Sequence, residues 1–172
     1  SRLPETAQTA VRTALTGHLI FTTLHARDTL GVFPRLIEME MKPGLVSSSV
    51  TASLYQRLVR KLCEKCKTLA EPPKELIREA GAIGLNPDKY YTATGCPECS
   101  GSGYAGRTGV FELLVPDDTI RDMIMSGASR QKMSEYCRSQ GMKFLRDDAI
   151  RRICEGVTAY GEIGRVCPSG NF

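Results

Sequence analysis

Apolar residues recur at three- and four-residue spacing through Ala7, Ala10, Val11, Ala14 and Leu15, the period of one helix face. The pattern predicts a helix over 5–16, with Pro4 suited to its first turn and Gly17 ending it. The period then changes. His18 to Leu24 (HLIFTTL) is a continuous, β-rich apolar run, read as a buried strand. A helix feeding such a strand through a short loop is the pattern of a parallel α/β sheet. His25 to Asp28 then forms a loop at the carboxyl end of that strand. Asp28 is placed to cap a second helix carrying Leu30, Phe33, Leu36, Ile37 and Met39, in which Pro34 implies a kink or a late start. Lys42-Pro43-Gly44 is a break, 47–55 reads as a helix, and Gln56 to Leu62 (QRLVRKL) reads as a strand.

Residues 67–95 read as an insert, with a short helix over 74–80 opened by Pro72-Pro73 and a loop over 84–95. Gly101, Gly103, Gly106 and Gly109 punctuate a turn-rich stretch that passes into an apolar strand over 109–115. Pro116 marks a boundary, and the remainder is helical over 118–126, 129–139 and 146–155. Ser129, Asp147 and Thr158 are the candidate N-caps. Gly161 and Gly164 weaken a last short helix after Thr158. The fold class expected is α/β with a small helical carboxyl-terminal domain. Its parts are 1–62, 63–115 and 116–172.

The 172 residues, 41% of them hydrophobic, suffice for a real core. No run of about 18 apolar residues is present, so no span of a membrane is expected. The net charge is +4 and is spread along the chain. Without a basic arm, and with no aromatics clustered among the basic residues, no nucleic-acid partner is expected. The densest basic cluster is Arg57, Arg60, Lys61, Lys65 and Lys67.

That cluster surrounds the first of two C-x2-C pairs, Cys63/Cys66 and Cys96/Cys99, separated by 29 residues. A two-residue gap turns both sulfurs of a pair toward one point, and two pairs complete a tetrahedral shell at about 2.3 Å per bond. Four protein ligands leave no open position, so the implied metal is a structural zinc. Four thiolates on Zn²⁺ carry a net charge of about −2, which the neighbouring cations offset. The spacer is longer than a usual zinc ribbon's. The alternatives at this stage are redox C-x2-C motifs and an iron–sulfur cluster. Neither pair opens a helix after a strand in the thioredoxin manner. Cys96-Pro-Glu-Cys99-Ser-Gly101-Ser-Gly103 also resembles the zinc modules of J-protein chaperones, of which this chain carries a single copy. Cys137, Cys154 and Cys167 stand alone, which fits a reducing, cytoplasmic compartment better than a disulfide framework.

His25 falls where the predicted strand ends, the edge at which α/β sheets place their ligands. No G-x4-G-K-[S/T] phosphate loop occurs in the 172 residues, nor H-E-x-x-H, G-x-S-x-G or a helix-opening G-x-G-x-x-G. No complete catalytic set is therefore expected in this chain.

Four stretches resemble the carboxyl-terminal portion of the type II secretion and type IV pilus assembly ATPases. They are ETAQTAVRTALTGHLIFTTLHARD (5–28), similar to that family's histidine box, YQRLVRKLCEKC (55–66), GCPECSGSGYAGRTGVFELL (95–114), and the helical tail over 117–156. Leu3 departs from the family pattern, where an acidic residue is usual. The resemblance implies that 1–62 is the carboxyl-terminal part of a RecA-like ATPase domain with a parallel sheet, and that 63–115 is a four-cysteine zinc module with a return strand. His25 would approach the γ-phosphate side of bound ATP and Arg107 its base side. The segments that hold ATP and Mg²⁺ would lie upstream of Ser1. The resemblance further implies a homo-hexamer, peripheral at the inner membrane and working on secretion platform proteins. A zinc-ribbon module binding nucleic acid or protein is the reading of a different class.

Overall fold

The computed structural model describes the backbone of residues 2–167 and the side chains of 5–167. The element order is α1 (Arg2–Leu15), α2 (Val32–Glu38), α3 (Pro43–Ser49), β1 (Ser53–Leu62), β2 (Lys67–Ala70), α4 (Lys74–Ala82), β3 (Tyr90–Ala93), β4 (Tyr104–Leu114), α5 (Asp118–Met125), α6 (Arg130–Ser139), α7 (Leu145–Cys154) and α8 (Ile163–Val166). Single turns of 3-10 helix at Pro97–Cys99 and Tyr160–Glu162 complete it. The chain forms two compact units, residues 1–55 with 113–142 and residues 56–112 with 143–172.

The first unit is helical. α3 packs against α1, α2 and α5, and Leu30, Phe33, Val46, Ile120 and Ile124 form the centre of its core. Pro43 at the first helical position supplies a fixed φ and no orphaned N–H, so the predicted break at 42–44 is instead the start of α3. The helix expected over 47–55 ends at Ser49, and Ser53 already belongs to β1. Pro34 lies in the first turn of α2, the late start that its missing N–H favours. Asp28 is not that helix's N-cap, although its carboxylate accepts the Gly31 N–H at 2.8 Å and pairs with Arg130 of α6. In the same unit Asp117 caps α5, accepting the Ile120 N–H at 2.8 Å and the Tyr136 hydroxyl at 2.6 Å.

The strand expected at 18–24 does not form. His18 to Ala26 has no regular secondary structure, and Leu19 and Phe21 are 76% and 88% exposed. A parallel strand needs hydrogen-bonded neighbours and a covered face, and the described residues supply this segment with neither. The two sheets that form among the described residues are antiparallel ribbons of two strands each, not the expected parallel sheet.

The second unit is mixed. β1 pairs with β4, and β2 pairs with β3 with Lys67 opposite Ala93 and Ala70 opposite Tyr90. The β2–β3 ribbon forms inside the insert, where the sequence suggested only loop around its helix. α7 packs against α4, α8 and β3. Its Leu145, Ala149, Ile150 and Ile153 are buried, as are Val59, Leu76, Ala80 and Val110 of the same unit. In the first unit, Ser129 caps α6 as expected, accepting from Lys132 N; in the second, two expected caps are not caps. Asp147 is not an N-cap: it sits in the first turn of α7 and accepts the Phe144 N–H at 2.9 Å. Thr158 is not one either; its hydroxyl donates to the Arg60 carbonyl at 2.8 Å.

Candidate metal centre

β1 ends one residue before Cys63, and the Cys63 N–H donates to the Gly103 carbonyl at 3.0 Å. The chain then turns tightly, so that the N–H groups of Cys66 and Lys67 both reach the Cys63 carbonyl. A similar knuckle follows at 96–99, with the N–H groups of Cys99 and Gly101 on the Cys96 carbonyl. Glycine is required at two points of this second knuckle. A Cβ on Gly95 (φ +103°) would lie 2.5 Å from the Gly101 oxygen, and one on Gly103 (φ +74°) would lie 2.6 Å from the Ala93 Cβ.

The two knuckles bring four sulfurs together. All four Sγ atoms lie within 4.8 Å of one another. Cys63–Cys96, Cys66–Cys99 and Cys96–Cys99 are separated by 3.9, 3.8 and 3.7 Å. A tetrahedron with bonds of about 2.3 Å has edges of about 3.8 Å, so the donor set fits a zinc-sized ion of sulfur preference. Cys63 and Cys99 are buried and the other two are half-buried, which leaves no position open to substrate.

The Cys99 sulfur accepts N–H bonds from Cys96 and from Gly103, each at 3.2 Å. Burial pushes the Cys99 thiol up, but these two bonds and the neighbouring thiols outweigh it and leave it at about 6. The Cys66 thiol is pushed up to about 12, first by burial and then by hydrogen bonding among the sulfurs, with a Gly95 N–H opposing. Of these two thiols Cys99 gives up its proton the more readily. Ligation needs thiolates, so a bound cation takes the place of thiol protons and its binding releases them. Cys137, Cys154 and Cys167 lie outside the cluster.

The cations expected to offset the site are in part engaged with other groups. Lys67 pairs with Glu64 at 2.7 Å and lies over the Tyr91 ring. Arg60 pairs with Glu162 at 2.6 Å and stacks over Tyr104. Two carboxylates that the sequence did not single out organise the surroundings. Glu162, 2% exposed, accepts from the backbone and guanidinium of Arg60 and from Arg165. Glu79 of α4 accepts two bonds from Arg146 and one from the Tyr160 hydroxyl. No local motif carries either contact, because the partners lie 102 and 67 residues apart in the chain.

His25 is exposed in the irregular segment of the first unit, and Arg107 is exposed on β4 in the second. Among the described residues no helix is long and apolar enough to cross a membrane.

The family model for the type II/IV secretion system protein matches residues 2–165. The type II secretion system protein E of Pseudomonas aeruginosa is 43% identical over 165 residues, which is 94% of this chain and 32% of that protein. The type II secretion system ATPase E of Vibrio cholerae is 43% identical over 162 residues, with the same two shares. The type IV pilus assembly ATPase PilB of Thermus thermophilus is 40% identical over 161 residues, 92% of this chain and 18% of that protein. The chain therefore belongs to the type II/IV secretion system protein family. It spans about a third or less of the length of the curated relatives it matches.

Proposed function

We propose that this chain is the carboxyl-terminal part of a hexameric ATPase that powers type II secretion or type IV pilus assembly, with one structural zinc per chain held by Cys63, Cys66, Cys96 and Cys99. The carrying observation is the match to secretion and pilus assembly ATPases over nearly the whole chain. In this reading the exposed segment 18–24 is a strand of a RecA-like parallel sheet whose neighbours belong to the longer protein. His25 at its end approaches the γ-phosphate of ATP, and Arg107 approaches the base. ATP and Mg²⁺ are held by segments outside 1–172. The hexamer works in the cytoplasm at the inner membrane, against platform proteins, and binds no nucleic acid. Zinc supplies a closed cross-link between two knuckles and no reacting group.

Phosphoryl transfer needs backbone N–H groups and a Lys around the phosphates, and a carboxylate to organise the metal. His25 and Arg107 alone supply none of these. The test is steady-state ATP hydrolysis by the full-length protein beside this chain alone. The full-length protein is expected to turn over ATP, to lose at least about tenfold in rate on His25→Ala, and to keep its zinc. This chain alone is expected to show no turnover above background. Unaltered turnover in His25→Ala refutes the placement of the nucleotide. A full-length protein without ATPase activity refutes the reading as a whole.

A further inference from the structure

The second unit builds two latches onto its four-cysteine module from the carboxyl-terminal segment. The first holds the strand that enters Cys63. The Arg60 N–H donates to Glu162 at 3.0 Å, the Arg60 guanidinium donates to the same carboxylate at 2.6 Å, and the Arg60 carbonyl accepts from Thr158 at 2.8 Å. Two residues further on, the Leu62 N–H donates to the Val157 carbonyl at 2.9 Å. Both backbone polar groups of Arg60 and the last N–H before the first ligand are thus fixed by residues 157–162.

The second latch holds the spacer between the cysteine pairs. Glu79 of α4 accepts from Arg146 of α7 at 2.6 and 2.9 Å, in a pair whose side chains are only 19% and 16% exposed. Arg146 also donates to the Cys167 carbonyl, and Tyr160 donates to Glu79. The Tyr91 ring of β3 lies against the Gly156 Cα closely enough that a Cβ there would come within 2.9 Å of it. β3 ends three residues before Cys96.

We propose that Glu162 and Glu79 are positioning residues for the metal site: the segment 157–167 and helix α7 hold the two arms of the cysteine module at ligating distance, so that metal retention and docking of the carboxyl-terminal segment are coupled. The proposal rests on the reading of the four cysteines as a zinc site. Its physical basis is preorganisation. A 29-residue spacer left free would have to be closed each time the second pair met the metal, at a cost in chain entropy. Docked on α7, the spacer is already closed. Neither carboxylate touches a sulfur, so their effect travels through backbone that they hold, as outer-shell partners orient ligands in metal sites generally.

The experiment is zinc transfer from the purified, zinc-loaded chain to a chromogenic chelator, for wild type, Glu162→Gln, Glu79→Gln and Asn86→Ala. Asn86 makes a surface hydrogen bond to Asp88 in the same spacer and belongs to neither latch. Release is expected about 10-fold faster in each of the two Gln variants and unchanged in Asn86→Ala. In Glu162→Gln, amide exchange is expected to rise first at Arg60, Leu62 and Cys63, ahead of the rest of the second unit. If Glu162→Gln does not fold, Glu79→Gln carries the test. A wild-type chain that binds no zinc overturns the metal reading itself. Zinc-loaded wild type with unchanged release in both variants, or protection lost uniformly across the unit, overturns the coupling alone.

Discussion

Glu162 shows how much one side chain organises. It is 2% exposed and faces Arg60, Arg165 and Tyr104. Burial pushes its carboxyl up, but the bonds from the Arg60 side chain and backbone and from Arg165 outweigh burial and hold it at about 2, against an ordinary 4.5. A carboxyl with a depressed folded-state value contributes stability in full above its unfolded value and loses it as pH falls through the folded one. In zinc-free protein the urea midpoint of wild type should therefore exceed that of Glu162→Gln at pH 5 and above, and the gap should close between about pH 4.5 and 2. A gap independent of pH would mean that the charge of Glu162 contributes nothing. Gly103 makes the complementary case for backbone. Its φ is +74°, and a Cβ would sit 2.6 Å from Ala93, whereas Gly106 at φ +75° faces open space. Both alanine variants incur the left-handed strain of about 1 kcal/mol, but only Gly103→Ala adds the clash. It should cost about 2–3 kcal/mol in all and weaken zinc retention by displacing the N–H on Cys99. Equal urea midpoints for the two variants would remove the steric argument. The cysteines were legible in the sequence because C-x2-C is a local geometry. The pairs Glu162–Arg60 and Glu79–Arg146 were not, because each joins residues more than sixty positions apart.

Among the elements, the amphipathic helices were the most readable. α4 to α7 lie within a residue or two of their expected bounds, since each has an apolar face at the right period and a Gly, Pro or cap at its end. The strands were harder for two different reasons. β2 and β3 are four residues each and are stabilised by each other, with Thr68 hydrogen-bonded across the ribbon to Thr92 and Thr94. Such pairing leaves little trace in either segment alone. The run at 18–24 has the composition of a buried strand but forms none, because strand formation also needs a neighbour. That contrast predicts opposite sensitivities. Phe21→Ser, at a side chain 88% exposed, should change the chain's stability by no more than about 0.5 kcal/mol. Ile150→Ala in α7, at 2% exposure, should cost about 2–5 kcal/mol. Urea unfolding of the two variants checks both. A large loss in Phe21→Ser would show that the segment is packed in solution.

At the scale of the whole chain, the backbone passes between the two units at 55/56, 112/113 and 142/143. Every ligand of the candidate metal site belongs to one of them: Cys63, Cys66, Cys96 and Cys99 all lie within 56–112. The first unit has its own core, in which Leu30, Phe33, Val46, Ile120 and Ile124 are each no more than 3% exposed, and it contains no part of the site. Proteins open in cooperative pieces whose stability follows the contacts within each piece, and a structural zinc adds its binding free energy to the piece that holds it. Chelation should therefore act unequally. With zinc stripped, amide protection is expected to fall in β2, β3 and the 96–103 turn, and then across the second unit, while α3 and α5 of the first keep theirs. Hydrogen exchange read by mass spectrometry, with and without chelator, measures both at once. A loss of protection shared equally by the two units would mean that the chain unfolds as one cooperative body, and that the metal stabilises all of it.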